Sequence, residues 1–259
     1  MITKDQLYGL SKKYKINESA ILREYVQLYF LSRLYQYEQS RKIFFKGGTA
    51  IHFLFQSSRF SEDLDFTVET KESVFSRFIE NFFSALKKEE PVDFKERKTV
   101  LGKRFLLTYR APIVSYPIFI NLDFSFREKI IYPAKSIINT DFPIIFRSYV
   151  YHPQAKELLA EKVRAFLTRN AGRDLYDLWF LLTRKTEIDT ELILKKLKYY
   201  RIKKFEVGDI KNKLKKISKK DFIADLKPFV GFSERGKLGD FFDYIVDFLN
   251  SLPLSSPRI

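Results

Sequence analysis

The stretch FKGGTAIHFLFQSSRFSEDLDFTV, residues 45–68, decides the architecture of this chain. It is preceded by KIFF at 42–45, a short apolar run that reads as a strand and ends at Gly47 and Gly48. TAIHFLFQS then reads as a helix that starts at Thr49. In SEDLDFTV, at 61–68, Leu64, Phe66 and Val68 alternate with Asp63, Asp65 and Thr67, the period of a strand with one buried and one acidic face. Strand, glycine turn, helix and acidic strand therefore follow one another directly.

Each part of this unit suggests chemistry. Glycines permit close backbone approach, unpaired amides at a helix start attract phosphate oxygens, and a threonine hydroxyl can donate another hydrogen bond. Gly47, Gly48 and Thr49 are thus candidate phosphate-binding residues, although a tight turn with a threonine cap explains GGT taken alone. The pleat turns Asp63 and Asp65 to the same face, where two carboxylates in a dry site repel unless a divalent ion such as Mg²⁺, or Mn²⁺ in its place, shares them. A solvated acidic strand edge is the competing explanation. Asp123, in the strand-like run at 118–124, supplies a third carboxylate if its strand lies alongside, and is otherwise a surface or hydrogen-bonded structural residue. Three such groups suit phosphoryl or nucleotidyl transfer, in which ions hold the triphosphate and activate the attacking hydroxyl.

Outward from this core, Thr3 caps a short helix and Asn17 a longer one reaching about Gln36. Val74, Phe75, Phe78, Phe82 and Leu86 form a helical stripe stopped by Pro91, and residues 92–124 are Phe/Val/Ile-rich runs that read as strands. The interval 127–152 reads as loop with one or two short elements and contains the expected boundary, giving domains 1–150 and 151–259. QAKELLAEKVRAFLTR and RDLYDLWFLLTR are helices separated by Asn170, Ala171 and Gly172, and further helices are expected at 190–205, 209–229 and 239–250. The fold class is α/β, a mixed sheet with flanking helices followed by a helical C-terminal domain.

Composition narrows the function. The 259 residues are 45% hydrophobic, enough for a large core, and carry 47 Lys and Arg against 32 Asp and Glu, a net charge of +15 that favours a polyanionic partner. With no cysteine, disulfides, thiolate metal sites and thiol nucleophiles are excluded, and His52 and His152 are too few for a His-rich metal centre. Carboxylates and hydroxyls must carry the chemistry. No run approaches 18 apolar residues and the first residues lack a signal-peptide core, so the expectation is a cytoplasmic protein without a membrane partner. Residues 184–220 hold 14 Lys and Arg against five Asp and Glu. Lys195, Lys196, Lys198, Lys203, Lys204, Lys211, Lys213, Lys215 and Lys216 offer an RNA backbone a cationic face, with a merely solvated helical surface as the alternative. Arg59 and Ser61 fix the turn before the acidic strand or reach phosphate, and Glu62 is not a primary ligand. His52 reads better as structural than as a nucleotide contact, and Trp179 and Phe180 as core rather than as base-stacking groups.

Residues 45–68 resemble the opening motif of the nucleotidyltransferase fold and, more narrowly, the AbiEii/AbiGii toxin family. A second resemblance lies in LLAEKVRAFLTRNAGRDLYDLWFLL at 158–182, and together the two span most of 41–184. The resemblance implies a Mg²⁺-dependent transferase that attaches the nucleotide of a nucleoside triphosphate to an acceptor, either RNA, such as tRNA, or protein. It also implies a toxin with a separately encoded antitoxin. It places phosphate contacts at Gly48 and Thr49, where the family commonly has Gly-Ser, and metal carboxylates at Asp63 and Asp65. The helical signature falls on Lys162, Arg169, Arg173, Asp174 and Asp177, with Lys162 and Asp174 as the catalytic pair. Lys162 would neutralise triphosphate charge, while Asp174 would orient it or act on the acceptor hydroxyl as base or positioning group. Arg169 and Arg173 would fork onto phosphate or onto carboxylates. An ordinary inter-helix ion network competes with this assignment, and a catalytically silent nucleotide- or RNA-binding module and a kinase-like phosphotransferase compete with the activity.

Overall fold

Two side chains start the first two helices. In α1 (Lys4–Tyr14) the Thr3 hydroxyl accepts from the Gln6 amide while the Gln6 side chain accepts from the Thr3 amide, and in α2 (Glu18–Leu34) Asn17 accepts from the Ala20 amide at 2.8 Å. A 3₁₀ turn at Glu38–Lys42 leads into β1 (Ile43–Lys46), α3 (Gly47–Phe55), β2 (Leu64–Val68) and α4 (Glu72–Glu89). Three longer strands follow, β3 (Val92–Arg97), β4 (Lys103–Tyr109) and β5 (Ile118–Ser125), and then the short β6 (Pro133–Ser136) and β7 (Val150–Pro153). The computed structural model describes residues 2–100 and 102–252. The chain divides into two compact units between Pro153 and Gln154, so a cut at 150/151 would run through β7.

The first unit is built on a five-stranded sheet ordered β1-β2-β5-β4-β3, antiparallel except for the parallel pair β2–β5. β5 alternates buried and open positions, as its IFINLDFS sequence requires, its inward residues being Ile118, Ile120, Leu122 and Phe124; the strand packs on α2, and Phe124 meets Phe75 of α4. Phe30 of α2 stands edge-on to Phe82 of α4, Phe124 stacks on Phe66 at 4.8 Å, and Phe83 stacks on Phe94 at 3.8 Å. With its inner face sealed by aromatics, the sheet leaves its polar side chains on the other face. β6 and β7 form a separate hairpin-like pair.

The second unit is helical, with α5 (Ala155–Thr168), α6 (Gly172–Thr183), α7 (Thr190–Lys198), α8 (Val207–Leu214), α9 (Lys219–Leu226) and α10 (Leu238–Ser251). α6 packs against α5 and α9, and Gly172 allows it, because a Cβ there would stand 2.9 Å from Phe222 Cα. The single helix expected at 209–229 is two, since Ser218 caps α9 through the Asp221 amide. The helix expected at 190–205 stops at Lys198, and Arg201 turns the chain with a φ of 62°. No helix among the described residues is long and apolar enough to cross a membrane.

Candidate active site

The glycine turn and the acidic strand are one structure. Gly47 has a φ of +80°, and a Cβ built on it would stand 2.2 Å from Asp65 Oδ2. A Cβ on Gly48 would stand 2.3 Å from Arg59 Nη2 and 3.1 Å from Ser61 Oγ. The carboxylate of Asp65 and the buried guanidinium of Arg59 therefore close onto the first turn of α3, which only glycines permit. The N-cap residue Lys46 makes no side-chain cap to that helix, whose first amides are of the kind that receive an anion. Thr49 plays a different part from the expected one. Its buried hydroxyl donates its single hydrogen to the Asp63 carbonyl at 2.5 Å, bracing α3 against the start of β2, and what it can offer a phosphate is its backbone amide.

Strand register fixes the rest. Lys46 lies opposite Asp65, Asp65 opposite Asp123, and Asp123 opposite Arg104, giving a row of basic, acidic, acidic and basic side chains across β1, β2, β5 and β4. One position along, Asp63, which precedes β2 rather than lying in it, accepts from Asn121 Nδ2 at 2.9 Å. Asp123 Oδ1 accepts from Arg104 Nε at 2.6 Å. This hydrogen bond raises the Arg104 pKa against the opposing effect of burial, with smaller contributions from the charges of Asp123, Asp63 and Asp65. Arg104 is thus bonded to Asp123, with Asp63 and Asp65 within its electrostatic reach.

The donor set gives a divided answer for a divalent cation. Asp63 and Asp65 offer the carboxylate oxygens that a hard ion takes, but Asp123 is held by Arg104, and among the described residues no three acidic or imidazole groups converge closely enough to hold an ion. Lys46 and Arg104 flank the paired carboxylates in the strand register, so protein cations share in offsetting their charge. Asn121 and Arg104 escaped the sequence reading. Asn121 had a signal in its place two residues before Asp123, whereas Arg104 is visible only once β4 is known to pair with β5.

In the helical unit, Lys162 Nζ lies 3.2 Å from Asp174 and 2.7 Å from Asp177, and Arg169 forks onto both oxygens of Asp174. Burial would raise the Asp174 pKa, but the charges of Lys162 and Arg169 outweigh it and hold the group at about 2. Both oxygens of Asp174 are engaged by Lys162 and Arg169, the geometry of a group that orients Lys162. The side chain of Lys162 is 10% exposed and that of Arg169 60%, which makes Arg169 the open cation of the cluster. Arg173 is engaged elsewhere in its unit. Its amide and Nε both donate to Asp225, and its guanidinium covers Phe229, tying α6 to α9.

The remaining candidates sort by their partners. His52 bridges Glu24 at 3.2 Å and the Ser57 carbonyl, and His152 lies between Ser136 and the Pro153 carbonyl, so both histidines join elements of the first unit. Glu62 pairs with Arg23, and the Ser61 carbonyl accepts from Gln27. Trp179 packs edge-on against Tyr176 and Phe241. Among the basic residues Lys196 is corrected outright. It is 1% exposed and lies 2.7 Å from Glu157 and 3.2 Å from Glu161, inside the α5–α7 contact. Lys211 is spent on the carbonyls of Asn250 and Leu252 and Lys213 on Asn170, whereas Lys195, Lys198, Lys203, Lys204, Lys215 and Lys216 are exposed.

Comparison with known proteins matches the family described as nucleotidyl transferase AbiEii toxin, type IV toxin–antitoxin system, over residues 29–247. No curated protein sequence matches. Among solved structures, MenT4, a nucleotidyltransferase toxin from Mycobacterium tuberculosis H37Rv, superposes with a TM-score of 0.68 at 19% identity, covering 98% of this chain and 91% of its own. JHP933 from Helicobacter pylori gives 0.55 at 19% identity over 91% of this chain and 95% of its own. A nucleotidyltransferase-like protein of the same organism gives 0.53 at 18% identity over 92% and 99%. At these identities the structural likeness speaks for the fold.

Proposed function

Because the chain belongs to the AbiEii family of nucleotidyl transferase toxins from type IV toxin–antitoxin systems, we propose that it moves a nucleotide from a nucleoside triphosphate to an RNA acceptor, with tRNA as the leading candidate. The system to which the family belongs implies an antitoxin partner. The observation that carries the catalytic reading is the seat of Asp65 on Gly47, which puts a carboxylate at the mouth of α3. In this reading the amides of Gly47, Gly48 and Thr49 receive phosphate oxygens, and Arg59 and the Thr49–Asp63 bond hold the turn in shape. Asp63 and Asp65 would hold Mg²⁺, or Mn²⁺ in its place, which supplies charge neutralisation at the triphosphate and a lowered pKa at the attacking hydroxyl. Within the helical unit, Lys162, positioned by Asp174 and Asp177, and Arg169 form a second group of cations of the kind that binds a polyanion. The exposed lysines of 195–216 give an RNA backbone its electrostatic footing.

The test is to incubate purified protein with each labelled nucleoside triphosphate, Mg²⁺, total RNA and cell protein. Label should appear in RNA with release of pyrophosphate. Label in protein would move the acceptor, release of nucleoside diphosphate would make the enzyme a phosphotransferase, and binding without transfer would make it a silent module. Asp65→Asn should lower transfer by about two orders of magnitude or more with the fold intact by circular dichroism. Transfer at the wild-type rate in that variant would reject the site.

A further inference from the structure

The acidic row already contains a cation of its own. Arg104 projects from β4 on the open face of the sheet, donates to Asp123 at 2.6 Å, and feels Asp63 and Asp65 as well. Its side chain is 47% exposed, whereas the neighbouring β4 residues Phe105 and Leu107 turn inward to the core. A guanidinium bonded to Asp123 and next in register to the Asp65 row competes with a divalent ion for the charge of these carboxylates, and it is also the side chain best shaped to fork onto a phosphate.

We propose that Arg104 is a built-in counter-cation: it holds the acidic row while no triphosphate is present, weakening capture of free divalent metal, and transfers to the triphosphate when the loaded nucleotide arrives. The inference rests on the proposed cation site at Asp63 and Asp65. It assigns Asp123 as the resting partner of Arg104 instead of a permanent metal ligand. Metal and triphosphate are then coupled through one side chain. The ion binds well only when a polyanion draws Arg104 away, so the protein is spared from filling its site with metal alone.

The two halves of this role predict opposite signs for one substitution, which a purely structural arginine would not give. Binding of Mn²⁺ to the full chain, followed by the loss of the free-ion paramagnetic resonance signal, should tighten about tenfold or more in Arg104→Gln, because a positive charge beside the ion is gone. Arg104→Lys, which keeps that charge, should stay near the wild type. Binding of inorganic tripolyphosphate in the presence of Mn²⁺ should weaken in Arg104→Gln. Equal Mn²⁺ affinity in the wild type and Arg104→Gln, with binding abolished by Asp65→Asn, would overturn the role of Arg104 while leaving the cation site standing. Absence of Mn²⁺ binding in every variant, with or without tripolyphosphate, would overturn both.

Discussion

Gly47 is the residue on which the phosphate turn and the acidic strand depend together. Alanine there must adopt a left-handed backbone and displace the Asp65 carboxylate, so Gly47→Ala should destabilise the protein by about 2 kcal/mol or more, read as a shift of the urea midpoint. It should lower transfer further than that loss of stability explains, since Asp65 moves with it. Asp174 leads to a prediction in pH. Its carboxylate is held at about 2 in the folded state, below the unfolded range near 4. The sign follows: the unfolded chain binds the proton first, so the stabilisation from this group is complete above about pH 4 and is lost as pH falls towards 2. Asp174→Asn should remove that part of the acid unfolding profile and take one carboxylate charge from Lys162. An unchanged acid limb in urea titrations at pH 2 to 4 would refute the ion network as drawn.

At the scale of elements, α5 and α7 are joined through a buried lysine. Lys196→Met takes the buried ammonium away from Glu157 and Glu161 and should cost about 3–5 kcal/mol. Lys195→Met, one residue away on the exposed side of α7, should change stability by no more than about 0.5 kcal/mol. Chemical denaturation of the two variants side by side decides this, and equal stabilities would contradict the burial of Lys196. The pair also shows what sequence can and cannot disclose. Neighbouring lysines look alike in composition, and only the position of α5 against α7 separates a surface charge from an interior one. Caps at Thr3 and Asn17, the period-two pattern around Asp65 and the period of α4 were legible because each is a local interaction. Arg104 and Asn121 were not, because their meaning comes from strand order, and the pairing of β5 between β2 and β4 joins residues far apart in the chain. Thr49 lies between these cases. Its hydroxyl was noticed for the right chemistry, yet which acceptor it meets is decided by the nearby Asp63 carbonyl.

For the molecule as a whole the governing quantity is a net charge of +15, whose densest stretch is 184–220. Charge of this size makes association with any polyanion salt-dependent, so steep salt dependence alone does not identify a binding face. Localised neutralisation does. Each lysine that touches an RNA phosphate contributes roughly 0.7–0.9 to the slope of log affinity against log salt concentration. Replacing Lys203, Lys204, Lys215 and Lys216 with glutamine should therefore flatten that slope by about 3 for tRNA if all four touch phosphate. The same number of replacements at Lys4, Lys12, Lys71 and Lys98, exposed in the first unit, should change the slope far less. Both variants lose four positive charges, so a general effect of net charge would lower the two slopes alike. Equal slopes in the two variants would remove the helical unit's claim to the RNA and leave the transferase without a located acceptor surface.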